Sequence, residues 1–467
     1  MKKLLPFVVL LFVLFAFYLI EPFIIKIDKI LFGFMFLLCG ILFFVFWKKR
    51  LLNYSRVCGF IFLIGMLIRL FYVIDSPFYV RQHDLGDYDG TWHLGYVYTI
   101  YETGKLPSTN KNEFYHPPLY HVLGALTLKI TSFFSFPLSR HFESLQYLSL
   151  IISFFTLFFI YKIIDFLLIE EKYRFLMKLL ITFSPLFIMF SGAINNDILM
   201  FLNFCISLFY LLKWNDNPSV KNIAFLAIFT GLCVSSKMNG SLIAIPILFL
   251  FLKKLFSQPY KMQYFKQFVL FGFISLPIGL WFYVRNYLLF HQGLSYVLSP
   301  NLPDLYVGNY SLFQRIFSFS FRQFFEIFAY PYNNDYNIWA YLLKTSVFDE
   351  EIFSVDLIHL SYLFLNTFLV ILSLYYFLRY LLSYRKNNTI NTLLITWFFF
   401  FLSYLLFNIR YPYACSMDFR YIFLNMIFGV IIFLYELSFS KKQSIYHLVF
   451  NLSILMSGLS IVMIFTI

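Results

Sequence analysis

Long apolar runs, each long enough to cross a membrane as a helix, dominate this sequence. Hydrophobic residues make up 61% of the chain and charged residues only 13%, whereas roughly a quarter of a soluble domain is charged. About 20 consecutive apolar residues span the hydrocarbon core of a bilayer as a helix. The sequence therefore predicts an all-α, polytopic integral membrane protein with about 12–13 transmembrane helices.

Most basic residues lie in short clusters between the apolar runs. Lys and Arg favour cytoplasmic loops and anionic lipid headgroups, so the net charge of +13 reports membrane topology. We find no indication of nucleic-acid binding. The clusters predicted to face the cytoplasm include Lys48–Lys49–Arg50, Lys253–Lys254, Arg385–Lys386 and Lys441–Lys442.

The first apolar runs, residues 4–20, 30–47 and 57–74, predict three crossings that end outside the cytoplasm. The runs at 145–168 and 175–190 predict two more. Residues 117 and 118 are Pro-Pro, at the start of the run 118–136. The runs 118–136, 145–168 and 175–190 separate two points that are both predicted to lie outside, which requires an even number of crossings. We therefore predict a juxtamembrane or re-entrant helix for residues 118–136, and leave open whether it crosses.

A polar island follows the third predicted helix. Residues 81–121 hold five carboxylates and four histidines, while most of the surrounding sequence is Phe, Leu, Ile, Val or Tyr. A carboxylate-rich loop at the mouth of a membrane helix is typical of a functional site. The alternative is that a long loop between membrane helices is polar only because it is solvated.

Other polar residues also lie at the predicted external ends of helices, while the helix centres are almost free of charge. This distribution indicates one site on the outer membrane face, built from several helix ends. A transporter, such as a flippase for lipid-linked oligosaccharides, is the alternative function, but it would carry charges along a central path. Charges could also end helices merely because they avoid lipid.

Carboxylates beside cations at a membrane surface suit an enzyme whose activated substrate is a lipid. In a polyprenyl-phosphate sugar the tail stays in the bilayer and the phosphate needs Arg or Lys. The acceptor hydroxyl needs a base to take its proton. The chain contains no GxGxxG or GxxxxGK[ST] motif, which argues against direct use of a nucleotide sugar.

The order of these landmarks resembles the GT-C superfamily of polytopic glycosyltransferases. The nearest branch is that of protein O-mannosyltransferases and lipid A aminoarabinose transferases. The matching landmarks are the sequences Gln82-His-Asp84, His93-Leu-Gly-Tyr-Val-Tyr, Tyr115-His-Pro-Pro-Leu-Tyr-His121, Asn195-Asn-Asp197, Lys237 between Gly231 and Gly240, Trp281-Phe-Tyr-Val-Arg-Asn286 and Phe419-Arg-Tyr421.

The resemblance implies a GT-C-like helical module at residues 57–440, with a large first external loop (75–117) that carries juxtamembrane helices and a second external loop (286–354). Residues 1–56 would be two added helices, and 441–467 a C-terminal transmembrane helix. The implied activity is transfer of a sugar from a polyprenyl-phosphate-linked donor to a hydroxyl of a glycan, lipid or protein acceptor. The resemblance also implies a multi-pass enzyme of the plasma membrane whose site faces the extracytoplasmic side.

Two carboxylates are the candidate catalytic residues. Asp84 opens the polar island and is the candidate general base or substrate-orienting group, although it could equally be a helix N-cap. Asp197 would face the same cavity from another helix. Together they could bind Mg²⁺ or Mn²⁺, but no ligand cluster requires a metal.

Four cations are candidate ligands of the donor phosphate, because Arg offers a bidentate fork and Lys a point charge. They are Arg140, Lys237, Arg285 and Arg420. Further site candidates are the other polar residues of the first loop that stand near Asp84 or before Pro-Pro. These are His83, Asp87, Asp89, His93 and His116.

Overall fold

The computed structural model describes residues 5–80, 92–111, 113–134, 136–257, 261–294, 296–298, 303–321, 324, 335–349, 357–383, 387–440 and 442–466. Within these residues the regular secondary structure is helical, apart from one isolated β-bridge between Tyr306 and Tyr413. The predicted all-α class is confirmed. The helices are α1 Leu5–Ile24, α2 Asp28–Lys48, α3 Tyr54–Asp75, α4 Trp92–Thr103, α5 Leu119–Thr131, α6 Leu138–Asp165, α7 Glu171–Thr182, α8 Pro185–Met189, α9 Asp197–Asp216, α10 Val220–Ser236, α11 Ala244–Ser257, α12 Lys261–Phe290, α13 Leu312–Phe317, α14 Ile338–Phe348, α15 Leu357–Leu382, α16 Asn388–Arg410, α17 Phe423–Phe439 and α18 Gln443–Thr466.

Among the described residues, ten helical segments are long and apolar enough to cross a membrane. Two of them include 3-10 turns, Met238–Ser257 and Ala414–Phe439. α1 and α10 contribute shorter apolar helices. α5 has 13 residues and so is about 20 Å long at 1.5 Å per residue, which is too short to cross a hydrocarbon core of about 30 Å by itself.

Burial inside the bundle does not follow hydropathy. The span of α2 has the highest mean hydropathy, 2.7, yet only 11% of it is buried, whereas that of α9 has the lowest, 1.5, and is 83% buried. Lipid is as apolar as any side chain, so the most apolar helix can lie at the outside. The central helices are α9, α6 and the span containing α17, and they carry the polar residues that the bundle must enclose.

One predicted crossing, residues 175–190, is broken in the structure. α7 ends at Thr182 and α8 begins at Pro185, because proline has no N–H to donate and disfavours helical geometry at the residue before it. The fully buried Arg69 of α3 donates from Nη1 to the Thr182 carbonyl at 3.0 Å and stacks on Phe187 at 4.5 Å. Arg69 lies six residues before the end of α3, so it is a charged residue enclosed within a predicted span but not at its centre.

α10 and α12 pack closely together. The C-terminal end of α10 lies at the same end of the helix bundle as the first loop. A Cβ at Gly231 would lie 2.7 Å from Ile278 Cβ, so only glycine fits. A Cβ at Gly240 would likewise collide with the Cys233 carbonyl. The Gly240 N–H donates to the Lys237 carbonyl at 2.9 Å. These two glycines let α10 stop at Lys237, as the sequence predicts.

Candidate active site

An ion pair joins the adjacent ends of α9 and α10. Lys237 is the C-cap of α10, and Asp197 is the first residue of α9. The ammonium Nζ lies 2.8 Å from the carboxylate, and the two side chains are 9% and 2% exposed. A carboxylate at a helix N-terminus is stabilised by the positive end of the helix dipole. Two helix ends therefore hold one buried cation and one buried anion at the same place.

Three asparagines and one serine position this pair. The Asn195 side-chain oxygen accepts the Asp197 backbone N–H at 3.1 Å. Asn196 donates to the Ser236 carbonyl, and Asn203 donates to the Ser236 hydroxyl, both at 3.1 Å. The Asn-Asn-Asp sequence thus ties α9 to the last residue before Lys237. These bonds fix the distance between the two charged groups.

The first loop supplies a second group of ionisable side chains. The Glu113 carboxylate lies 2.7 Å from His116 Nε2 and 3.6 Å from His93 Nε2. His93 Nδ1 is in turn 3.0 Å from His121 Nε2. Glu113 and His116 are 13% and 14% exposed, whereas His93 and His121 are buried. Four side chains that are up to 28 residues apart therefore form one connected network.

The electrostatics connect this network to Lys237. Burial raises the pKa of the Glu113 carboxyl, but its hydrogen bond to His116 and the positive charges of His116, His93 and Lys237 outweigh burial. The pKa is thus held well below its usual range. Burial, together with the neighbouring His93 and His116, lowers the pKa of His121 well below its ordinary value. Glu113 is therefore an anion facing the Lys237 side of the site, and His121 is a neutral ring.

A tight turn holds Glu113 and His116 together. The His116 N–H donates to the Glu113 carbonyl at 3.0 Å, and Glu113 has a φ of +65°. That left-handed conformation costs a non-glycine residue about 1–2 kcal/mol, so the surrounding contacts must compensate for it. Pro117 and Pro118 then lead into α5, with Pro118 as its N-cap. The Pro-Pro pair therefore ends the turn and starts the helix.

Arg420 contacts the same tyrosine ring as Lys237, with its guanidinium carbon 5.2 Å from the Tyr421 ring centroid. It belongs to the 3-10 helix Phe419–Ile422, and its Nε is 3.3 Å from the Asp418 carboxylate. The next residue, Tyr421, carries the ring that Lys237 stacks on, with Nζ 5.1 Å from the ring centroid. The segment between α16 and α17 thus contributes a second cation close to Lys237.

Arg285 reaches the first loop from the end of α12. Its Nη2 donates to the Leu106 and Pro107 carbonyls at 3.4 Å, and Nη1 donates to Asn286 at 2.9 Å. Its charge also opposes the effect of burial, which raises the pKa of the Tyr96 hydroxyl. Since Tyr96 stacks on His121 at 4.0 Å, Arg285 lies at the rim of the histidine network.

Arg140 has a different environment from Lys237, and its role as a phosphate ligand stays a prediction. Its Nη1 lies 2.8 Å from the Glu21 carboxylate, and its guanidinium stacks on Tyr18 at 4.5 Å. Both partners belong to α1. The arginine thus attaches α1 to α6.

Four predicted site residues, His83, Asp84, Asp87 and Asp89, lie outside the described residues, so their roles stay predictions. Among the residues that are described, no group of three or more His, Cys, Asp or Glu side chains could hold a metal ion. Asp197, the described member of the proposed metal pair, is bound to Lys237. Dependence on Mg²⁺ or Mn²⁺ also stays a prediction.

Glu113, His121 and Tyr421 are the site residues that the sequence reasoning did not select. Glu113 stands three residues before His116, which is the spacing of the turn that joins them. That spacing was a usable signal. His121 and Tyr421 offered none, because their partners come from distant parts of the chain.

Comparison with known proteins identifies the segment that contains most of this site. Residues 115–297 match the family model described as dolichyl-phosphate-mannose-protein mannosyltransferase. The resemblance to polytopic GT-C glycosyltransferases is confirmed. The matched segment includes His116, Asp197, Lys237 and Arg285. A search of curated proteins gives no significant match.

Solved structures of ArnT from Cupriavidus metallidurans are also similar to this chain. The structure bound to undecaprenyl phosphate has a TM-score of 0.35 and 12% sequence identity, and the match covers 82% of this chain and 76% of ArnT. The apo structure gives a TM-score of 0.35 and 11% identity, with 83% and 77% coverage.

Proposed function

We propose that this protein is a membrane glycosyltransferase that moves a sugar from a polyprenyl-phosphate-linked donor to an acceptor hydroxyl at the extracytoplasmic face. The observation that supports this proposal best is that the Asp197–Lys237 pair and the Glu113–His116 pair lie close enough for the charge of Lys237 to help lower the pKa of Glu113. A cation site and an acid–base site are thereby adjacent. Both lie in or next to the segment that matches the mannosyltransferase family model.

The donor phosphate is the ligand that this group of cations would recognise. Lys237 supplies a point charge, and Arg420 supplies a planar guanidinium close to it. As the bond between the sugar and the phosphate breaks, negative charge grows on the phosphate oxygens. Cations already held in position stabilise that charge without reorganisation. In the absence of donor, Asp197 balances the charge of Lys237.

A lipid carrier fits the position of this site in the fold. Lys237 and Asp197 are at helix ends inside a bundle whose described helices include ten segments long and apolar enough to cross a membrane. A carrier with a polyprenyl tail would keep the tail in the lipid and present only its phosphate and sugar. The acceptor is a glycan, lipid or protein hydroxyl.

The purified full-length protein tests this proposal directly. It would be reconstituted in liposomes with a panel of polyprenyl-phosphate sugars, and free polyprenyl phosphate and glycosylated acceptor would be measured. A transferase releases the free carrier and modifies the acceptor in equal amounts. Movement of intact donor between leaflets, with no carrier released, would instead identify a flippase.

A labelling experiment tests the proposed sidedness. Single cysteines at Lys105 and Asn309, both exposed and both predicted to lie outside, should react in intact cells with a membrane-impermeant thiol reagent. Matched cysteines at Lys49 and Asp216, also exposed, should react only after permeabilisation. The background variant carries Cys415→Ser, because that native thiol is partly exposed. Reversed labelling would place the site in the cytoplasm.

A further inference from the structure

The Glu113–His116 pair has the geometry of a carboxylate that orients a histidine. The carboxylate Oε2 is 2.7 Å from His116 Nε2, and each side chain keeps an exposed fraction of 13–14%. We propose that His116 takes the proton from the acceptor hydroxyl during sugar transfer and that Glu113 is its positioning residue. This inference rests on the proposed function and assigns the base within the same site.

The hydrogen bond to Glu113 selects the reactive nitrogen. A carboxylate is only an acceptor, so Nε2 of His116 carries the hydrogen and donates it. Nδ1 then carries the lone pair, and it has no hydrogen-bond partner among the described residues. The side chain is 14% exposed, so the ring is not sealed inside the protein. A carboxylate that fixes the tautomer of a histidine is the arrangement that other hydrolytic and transfer enzymes use.

The ring is also fixed in position. The turn from Glu113 to His116 is closed by a backbone hydrogen bond, and Pro117 and Pro118 prevent rotation after it. The Tyr96 hydroxyl donates to the His116 carbonyl at 3.4 Å, and the Tyr115 ring lies 4.3 Å from the His116 ring. A positioned base of this kind needs little rearrangement before reaction.

Other members of the network fit the role less well. Glu113 is ionised and has a low pKa, which makes it a weak base at neutral pH. His93 and His121 are buried and share a hydrogen bond at 3.0 Å, so an acceptor would have to displace that contact. Imidazole changes protonation near neutral pH, which suits a group that must take up and release a proton in every turnover.

The proposed step forms one bond, breaks one bond and moves one proton. The acceptor oxygen forms a bond to the anomeric carbon as the bond from that carbon to the phosphate oxygen breaks, and its electron pair stays on the phosphate. The acceptor's proton passes to His116 Nδ1, where the Glu113 anion stabilises the resulting imidazolium. The proton then leaves to water or to the released polyprenyl phosphate. No other reactant is required.

Ionisable groups from several elements face this histidine. They are His93 and Tyr96 of α4, His121 of α5, Lys237 with its partner Asp197, and Arg285 of α12. Among the three histidines, His116 is the one that is both partly exposed and within 2.7 Å of a carboxylate oxygen. This makes the pH profile of turnover informative.

The experiment compares His116→Ala with wild type in the donor panel assay and adds free imidazole. kcat should fall roughly 10²–10⁴-fold, and imidazole should restore part of it by occupying the space left by the side chain. Binding of free polyprenyl phosphate should stay within about twofold of wild type. The matched control is His141→Ala, another partly buried histidine at the same end of the bundle, outside the network. It should turn over normally.

Two further variants keep the test decisive if His116→Ala unfolds, as judged by thermal melting and size-exclusion chromatography. His116→Gln keeps a donor toward Glu113 but has no basic nitrogen, so it should be equally inactive and imidazole should not rescue it. Glu113→Gln removes the charge that favours the protonated ring. The acid limb of its kcat profile should therefore move to lower pH by about one unit.

The outcomes separate this inference from the proposed function. If wild type releases no free carrier from any donor, the transferase proposal itself fails. If wild type is active and His116→Ala loses donor binding at unchanged kcat, His116 is a phosphate ligand and not the base. An unchanged acid limb in Glu113→Gln, or full activity of His116→Gln, would also overturn the inference and return the role to a first-loop carboxylate such as Asp84.

Discussion

Two buried ion pairs at the loop end of the bundle look alike as isolated contacts but have different surroundings. Arg140–Glu21 and Lys237–Asp197 each join a cation to a carboxylate at 2.8 Å. The first pair attaches α1 to α6 and stacks on the α1 residue Tyr18. The second is surrounded by the first-loop network and by the segment that carries Tyr421. The first pair involves two helices, whereas the second involves four parts of the chain: α9, α10, the first loop and the segment with Tyr421.

The comparison shows that residue type and position in the sequence do not distinguish these two cations. Both cations stand at predicted external helix ends, and both were reasonable phosphate ligands by that criterion. The two cations differ in which parts of the chain supply their ionisable neighbours. The ionisable neighbours of Lys237 include Glu113 of the first loop, whereas those of Arg140, such as Glu21 and Glu143, lie on the two helices that it joins, α1 and α6.

The largest expected difference is between Lys237→Met and Arg140→Met. Each removes one partner of a buried pair and leaves a carboxylate uncompensated, which should cost about 3–5 kcal/mol of stability. Only Lys237→Met should also lower kcat/KM for the lipid donor, by roughly 100-fold, because a charge-assisted contact to phosphate is lost. Thermal melting and the carrier-release assay measure the two effects.

The double variants Lys237→Met/Asp197→Asn and Arg140→Met/Glu21→Gln are the controls. Removing both charges should recover much of the stability in each case, because no buried carboxylate is then left unpaired. Activity should stay low in the first double variant and near wild type in the second. If Arg140→Met loses donor use as severely as Lys237→Met at equal stability, the two pairs do not differ in function.

A smaller effect is expected at the two other arginines. Arg420→Ala should reduce kcat/KM for the donor by about 30-fold, equivalent to about 2 kcal/mol, because Arg420 lies next to the ring on which Lys237 stacks. Arg420→Lys should recover only part of this loss if the contact with phosphate is bidentate. Arg285→Ala should cost less than about tenfold, since Arg285 is held by backbone carbonyls of the first loop.

Donor and acceptor kinetics distinguish these arginines. A change in the donor KM with the acceptor KM unchanged would support phosphate contact by Arg420. If Arg285→Ala exceeds Arg420→Ala in its effect on the donor, then the donor phosphate lies nearer the first loop than nearer Tyr421, and the arrangement proposed around Lys237 must be revised.

Sequence reasoning succeeded where local rules decide the structure. The end of α10 at Lys237 and the start of α9 at Asp197 follow from apolar spans bounded by polar residues and glycine. The break at Pro185 could also have been predicted from the sequence, because proline disfavours a helix interior. Hydropathy alone does not show this break. Asp197 and Lys237 could therefore be selected as candidates from the sequence.

The pairing of Asp197 with Lys237 could not be predicted, because it depends on how separate helices pack together. Glu21 lies 119 residues before Arg140 in the chain, and no local pattern connects them. The contact of Arg69 with the end of α7 is of the same kind, with 113 residues between its partners. A cation at a helix end is predictable from sequence, but its counterion is not.

The smallest predicted effect concerns the pH dependence of stability, and it separates the first-loop network from an ordinary exposed carboxylate. The pKa of Glu113 is lower in the folded protein than the ordinary glutamate value near 4.3, so its contribution to stability is fully present above that ordinary value. The contribution is lost as pH falls below about 4 toward the folded pKa.

Glu113→Gln should therefore melt roughly 2 °C below wild type at pH 7. This gap should shrink as the pH is lowered below 4. The control Glu102→Gln, at an exposed position of α4, should show no such convergence. A gap for Glu113→Gln that stays constant down to low pH would mean that the carboxylate is not held ionised by the histidines and Lys237, and the link between the two halves of the site would be lost.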